Sequence, residues 1–243
     1  MKSWIKKGVR QILIKLEIPV TKNIEYDIFT GKILKKVLQP GSNCVDVGAH
    51  KGEILDEFIA LAGSGNHFAF EPIPAMYKSL ASKYAGKAQV FPFALSDHDG
   101  VTEFNLVLDD PAYSGLKQRE YKTADTRVEK IEVEVRTLDG VLSDRQCKID
   151  LIKIDVEGGE FGVLKGATQI LEKDKPVIIF EFGKGASEYY GTKPEELFGF
   201  FQKHNYAIYT LSAFQKNISS LSAAEFLVSY DNKIDYYYIA KTL

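Results

Sequence analysis

Asp46 closes a short apolar run, and glycines follow it at 48 and 52 in Cys44-Val45-Asp46-Val47-Gly48-Ala49-His50-Lys51-Gly52. Glycine in such a loop takes backbone angles closed to other residues and lets the main chain approach a ligand closely. The spacing predicts a first β-strand handing a small molecule to a helix that starts near Glu53. Open α/β sheets bind their ligands at that point. A dinucleotide would set its pyrophosphate on the helix start and calls for three glycines spaced G-x-G-x-x-G. This loop has two, with His50 between them. A carboxylate beside the loop disfavours a pyrophosphate and favours a cation. S-adenosylmethionine carries an ammonium and a sulfonium and no phosphate, so it suits Asp46 electrostatically. The plainer alternative is that Asp46 only caps a turn.

Four further acids stand at the ends of apolar runs. Glu71 follows His67-Phe68-Ala69-Phe70, roughly 20 residues past the loop, where nucleotide-binding α/β folds hold a ribose diol. Ionised Glu71 only accepts hydrogen bonds, and a vicinal diol offers two donors. Asp155 and Glu157 close the run Leu151-Ile152-Lys153-Ile154, and Glu181 lies in Val177-Ile178-Ile179-Phe180-Glu181-Phe182. A carboxylate at the ligand face can take a proton from an attacking group, and Asp155 or Glu157 is the candidate base. His50 is another candidate base, or simply a loop residue that shapes the backbone. Alternatively Asp155 and Glu181 hold a hard divalent ion that acidifies that group. The expected route is the metal-free one. Glu160 reads as a partner for a helix N-terminus.

Positioning these acids requires strands that end on one edge. Candidate strands are 44–47, 67–70, 89–93, 151–154 and 177–182, separated by helices with apolar faces at Leu55, Phe58, Ile59 and Ala62, at Tyr77, Leu80, Ala81 and Tyr84, and at Phe161, Leu164, Ile170 and Leu171. This alternation predicts βαβ units, a mostly parallel sheet and helices on both faces. Thr192-Lys193-Pro194-Glu195 reads as a capping box opening a helix to about Lys203. Strands at 206–211 and 236–241 close the chain, with 226–230 pairing beside them. A hairpin of strands 101–107 and 131–136 interrupts the rhythm, and its polar stretch 108–129 is either an acceptor-binding lid or plain surface disorder.

At 243 residues, with 45% hydrophobic and 26% charged residues, the chain has the composition of a soluble globular protein. A net charge of −2 gives no case for a nucleic-acid partner. Two cysteines, Cys44 and Cys147, make no disulfide framework and fit a reducing compartment. No apolar run is long enough to span a bilayer, and the N-terminus lacks a signal-peptide pattern. The expected location is therefore cytoplasmic. Residues 1–40 read as a helical extension that packs on a domain spanning 41–243. Lys2, Lys6, Lys7, Arg10 and Lys15 interleave with Trp4, Ile5, Val9, Ile12, Leu13 and Leu16, so peripheral contact with an anionic membrane is the alternative to packing.

The chain resembles the FkbM-type S-adenosylmethionine-dependent methyltransferases. The matching pieces are Asp46 to Gly52, Phe70-Glu71-Pro72, Ala94-Leu95-Ser96-Asp97, Thr137-Leu138-Asp139, Ile152 to Glu160, Leu164-Lys165-Gly166-Ala167 and Glu181. That family usually has Asn where this chain has His50. The resemblance implies a class I methyltransferase fold, a Rossmann-like sandwich whose seven-stranded sheet has an antiparallel last strand. It implies O-methylation of a hydroxyl on a sugar, glycan or small natural product. Asp46, Gly48 and Gly52 would cradle the methionine part of the cofactor and Glu71 its ribose, with Ala49, His50 and Pro72 also binding positions. Ser96 and Asp97 would approach the adenine. Two other readings are an NAD(P)-dependent oxidoreductase and a non-catalytic nucleotide-binding protein.

Overall fold

The computed structural model describes residues 3–121 and 125–243, with side chains from residue 8 onward. The positions Lys2, Trp4, Ile5, Lys6 and Lys7 of the basic N-terminal pattern, and 122–124 of the polar stretch, therefore lie outside the described side chains. The strands are β1 (Cys44–Val47), β2 (His67–Phe70), β3 (Gln89–Phe91), β4 (Phe93–Leu95), β5 (Gly100–Val107), β6 (Val128–Arg136), β7 (Leu151–Ile154), β8 (Val177–Glu181), β9 (Tyr206–Thr210) and β10 (Tyr237–Thr242). The helices are α1 (Ser3–Lys15), α2 (Lys22–Val37), α3 (Glu53–Ala62), α4 (Pro74–Lys83), α5 (Leu138–Val141), α6 (Glu160–Lys165), α7 (Thr168–Asp174), α8 (Pro194–Lys203), α9 (Leu211–Gln215) and α10 (Ala223–Asp231).

Seven strands form one sheet in the order β3-β2-β1-β7-β8-β10-β9. Neighbours are parallel except at β10, which runs against both β8 and β9. Successive side chains of a strand point to opposite faces. Val45, Val47, Phe70, Ile152 and Phe180 therefore pack under Leu164, Ile170, Leu197 and Phe201 on one side. Cys44, Ala69, Leu151 and Ile179 meet Leu34, Leu55, Phe58 and Leu80 on the other. Burial on both faces is why these strands read as unbroken apolar runs.

Four details differ from the sequence expectation. The third strand stops at Phe91, and 93–95 pairs in parallel with β6 in a separate sheet of order β4-β6-β5. Pro92 lies between them with no N–H to donate to a ladder. The helix expected over 161–171 is two, α6 and α7, broken at Gly166. Helix α8 starts from Lys193 without a side-chain cap, so Thr192 and Glu195 form no capping box; the box is at Ser222 and Glu225, opening α10. Residues 226–230 are accordingly helical rather than a strand, and bury Phe226 and Tyr230 against the sheet.

The polar stretch after β5 folds back on it. Asn105 and Gly115 exchange both backbone hydrogen bonds, at 2.9 and 3.2 Å, and Ser114 Oγ accepts the Val107 N–H at 2.9 Å. A 3₁₀ turn at Pro111–Tyr113 lies between them. Residues 108–121 thus form a strap over the strand ends. Helix α2 buries Tyr26, Ile33 and Leu34 on the sheet, and α1 packs on α2. Among the described residues no helix is long and apolar enough to cross a membrane.

Candidate active site

The glycine loop is shaped by β2. Gly48 has φ +79°, and a Cβ there would sit 1.9 Å from the Asp155 carbonyl oxygen, so neither the angle nor the space admits a side chain. The Gly48 and Ala49 N–H groups both donate to the Phe70 carbonyl at 3.1 Å. His50 has φ +49°, a left-handed conformation that His and Asn tolerate better than most residues. Its N–H donates to Glu71 Oε2 at 2.8 Å, and the Ile73 N–H donates to Oε1 at 2.9 Å. Burial pushes the Glu71 carboxyl up to about 7 against these two donors. A carboxylate has about four lone-pair sites, so Glu71 holds the loop and keeps capacity for a ligand. Gly52, with φ +76°, caps α3, and its carbonyl accepts from Tyr84 Oη at 2.7 Å.

Above this loop opens a cleft of about 600 Å³, counting its mouth. Phe70, Ile73, Phe93, Leu95 and Phe104 give it an apolar wall; Gly48, His50, Glu71 and Pro72 form the floor. Asp155 and Glu157 close one end, and Pro111, Ser114 and Leu116 of the strap roof it. Among the described lining residues the charged side chains are carboxylates, with no Lys or Arg. Burial also pushes the His50 imidazole downward, keeping it neutral near pH 7.

Behind the cleft lies a buried charge layer set by strand register. Asp46 pairs across to Lys153 between β1 and β7, and Glu181 to Tyr237 between β8 and β10. Lys153 Nζ stands 3.8 Å from Asp46 Oδ1 and 3.3 Å from Asp155 Oδ2. Tyr237 Oη donates to Asp155 in a short hydrogen bond. Burial pushes Asp155 up, but Lys153, Glu181 and Tyr237 outweigh it and hold the carboxyl below its ordinary range. Glu181 goes the other way, raised by burial and by Asp155, so the proton of this pair stays on Glu181. Asp155, Glu157 and Glu181 offer oxygens within 4.8 Å of one another, a donor set that would suit a hard cation. Lys153 and Arg119 already place positive charge against two of them.

Glu157 meets the strap. Its φ of +60° turns it toward Arg119, with which it forms a close ion pair, and the Arg119 guanidinium lies 5.0 Å from the Tyr113 ring centre. Burial and Asp155 push Glu157 up to about 8, with Arg119 opposing. Tyr190 and Tyr189 pin the strap, their hydroxyls accepting the Lys117 and Glu120 N–H groups, each at 3.2 Å. Glu160 is buried beneath, and its Oε1 accepts the Val156 and Gly158 N–H groups.

The structure brings Gly48, His50, Glu71, Pro72, Asp155 and Glu157 to one cleft. It does not bring Asp46 there. Asp46 lies on the opposite face of β1 from Val47, is 1% exposed, and neither oxygen has a hydrogen-bond donor among the described residues. Those two oxygens are acceptors without a donor, open to a cationic group that reaches them. Ala49 is likewise buried in the core below the loop, and Gly52 is turned to Tyr84. Ser96 and Asp97 lie outside the cleft lining: Ser96 packs on Gly162 and Gly166, and Asp97 pairs with Lys165 and His98. The crossing of the chain at Pro92 into the second sheet turns both toward α6. Sequence reasoning missed Lys153, Arg119, Tyr190 and Tyr237. Lys153 alone carried a signal, as a cation inside an apolar strand, which has to be paired.

A mostly parallel seven-stranded sheet with one reversed strand beside its edge, carrying an acidic cleft over the strand ends, is the class I methyltransferase architecture. The chain belongs to the FkbM family: the Methyltransferase FkbM domain matches residues 46–208. This membership sets aside the oxidoreductase reading. The chain is similar to the AMB antimetabolite synthetase AmbE of Pseudomonas aeruginosa, with 24% identity in an alignment 203 residues long that covers 68% of this chain and 10% of AmbE. It thus spans a small part of that relative's length. Among solved structures it is similar to a methyltransferase FkbM from Methylobacillus flagellatus, at TM-score 0.47 and 16% identity, covering 76% of this chain and 48% of that one. It is also similar to Aeropyrum pernix fibrillarin in complex with natively bound S-adenosyl-L-methionine, at TM-score 0.47 and 10% identity, covering 88% and 73%.

Proposed function

We propose that the protein transfers a methyl group from S-adenosylmethionine to a hydroxyl oxygen of a sugar, glycan or small natural product. The observation that carries this reading is the charge of the cleft: Glu71, Asp155 and Glu157 line it without a Lys or Arg among the described lining residues. That lining suits a cationic sulfonium and opposes a pyrophosphate. Glu71 would accept from ribose hydroxyls with the lone pairs its two backbone donors leave. Phe70, Ile73, Phe93 and Leu95 supply apolar surface for a purine. When bound, the cofactor supplies an electrophilic methyl carbon on a good leaving group.

Glu157 is the better placed base of the two candidates. Asp155 is held ionised by Lys153 and Tyr237 and is a correspondingly weak base. Glu157, pushed up to about 8, lies near the pH at which a general base works best. It would take the acceptor proton on one carboxylate oxygen while Arg119 holds the other, Oε2. The strap, pinned by Tyr189 and Tyr190, excludes water from the reacting atoms. The likeness to part of an antimetabolite synthetase supports a natural-product acceptor.

Calorimetric titration with S-adenosylhomocysteine and with NADH tests the cofactor. Binding of the first alone is expected, and binding of NADH alone overturns the reading. Mass spectrometry of hydroxylated acceptors incubated with S-adenosylmethionine then tests the oxygen as methyl acceptor. The reaction is read as metal-free, because Lys153 Nζ and the Arg119 guanidinium already stand against Asp155 and Glu157, where a metal ion would sit. Turnover lost to EDTA and restored by magnesium would contradict that.

A further inference from the structure

We infer that α1 and the segment after it dock the protein on the surface of an anionic lipid bilayer. Val9, Ile12 and Leu16 recur at intervals of three and four, so they share one side of the helix. That side faces away from the protein, with the three residues 49%, 58% and 62% exposed. Ile18 and Val20 continue the apolar surface at 44% and 58% exposed. Five of the exposed large apolar side chains among the described residues thus fall between positions 9 and 20. Scattered exposed apolar residues are ordinary; a contiguous patch marks an interaction surface.

The rest of α1 is already occupied. Leu13 and Ile14 are half-buried toward the protein, and Arg10 pairs with Asp27 of α2 at 2.7 Å. The helix is therefore fixed to the fold on one side and presents its apolar stripe on the other. This arrangement is the reverse of a surface helix whose apolar stripe faces the core.

Charge identifies the occupant. The first twenty residues contain five of the chain's 31 basic side chains and one of its 33 acidic ones, Glu17, which pairs with Lys32. An apolar stripe accompanied by lysine and arginine suits the boundary between lipid headgroups and acyl chains. A second copy of the chain fits poorly, because a two-fold contact would bring these like charges together. At 13 residues α1 is too short to span a bilayer, so it would lie in the plane of the surface.

Co-sedimentation of the full chain with vesicles tests the inference, using phosphatidylcholine alone and phosphatidylcholine with about one third phosphatidylglycerol. The chain is expected to sediment with the anionic vesicles at about 0.1 M salt and to be released at about 0.5 M. Replacing Lys7 and Lys15 with Gln should weaken partitioning roughly fivefold per lysine. Ile12→Glu with Leu16→Glu should abolish it while circular dichroism and the melting temperature stay unchanged, since neither side chain is buried. No sedimentation with anionic vesicles, equal sedimentation with neutral ones, or insensitivity to the paired Glu substitutions overturns the proposal. So does a lipid-free dimer that those substitutions dissociate, which would make a second copy the occupant.

Discussion

Replacing Lys153 with Met removes positive charge from between buried Asp46 and half-buried Asp155 while keeping a side chain of similar length. Lys153 Nζ lies 3.8 Å from Asp46 and 3.3 Å from Asp155, and its side chain is 9% exposed. Removing one partner of a buried ion pair destabilises by about 3–5 kcal/mol, because the remaining charge is left uncompensated. The loss must depend on pH. Burial pushes Asp46 up to about 6 even with Lys153 opposing it, and the variant loses that opposition. A carboxyl whose folded pKa exceeds its unfolded value keeps a proton that the unfolded chain gives up. Stability therefore falls as pH rises between the two values, by up to about 1.4 kcal/mol per pH unit. In the native chain Asp46 has passed through that window near pH 6; in Lys153→Met the window extends upward. Asp155, which Lys153 helps hold down, adds a loss of the same sign. Urea unfolding followed by circular dichroism should show a small deficit at about pH 5 and the full ~3–5 kcal/mol at about pH 8. Adding Asp46→Asn should restore about 1–2 kcal/mol at the higher pH. A variant as stable as the native chain at about pH 8, or a deficit constant across the range, would refute the argument.

Gly48→Ala should lower stability by about 3 kcal/mol or more, since the left-handed backbone alone costs about 1–2 kcal/mol and the new methyl meets the Asp155 carbonyl; a shift below about 1 kcal/mol in thermal unfolding would show that the loop yields. Glu157→Gln should reduce kcat by about 10²–10⁴ while leaving S-adenosylhomocysteine affinity within about threefold, measured by turnover and calorimetry. In the native enzyme kcat should rise with pH through about 8 as Glu157 ionises, and the variant should lack that limb. Arg119→Ala should move the limb to higher pH, because the guanidinium opposes the rise; an unmoved limb would assign it to another group. Tyr190→Phe removes the acceptor of the Lys117 N–H, so amide exchange in the strap should accelerate by the equivalent of about 1 kcal/mol.

Local pattern determined much of this protein. The apolar runs at 44–47, 67–70 and 151–154 fold as strands over those same residues, because strands buried on both faces need unbroken apolar sequence. The glycine loop, Glu71, Asp155 and Glu157 reach one cleft because the ends of parallel strands share an edge. What a strand's sequence leaves open is which side chain of a neighbouring strand stands across from each of its own. Only the register of β1 on β7 sets Asp46 against Lys153. Tyr237 reaches Asp155 across 82 positions of chain, and Arg119 reaches Glu157 from a strap without a periodic signal. Pro92 shows the same division. Its missing N–H was readable, but the destination of the chain beyond it depended on where β6 lay. Local sequence sets backbone preference and side-chain alternation, whereas the partner of a buried charge depends on packing between distant segments.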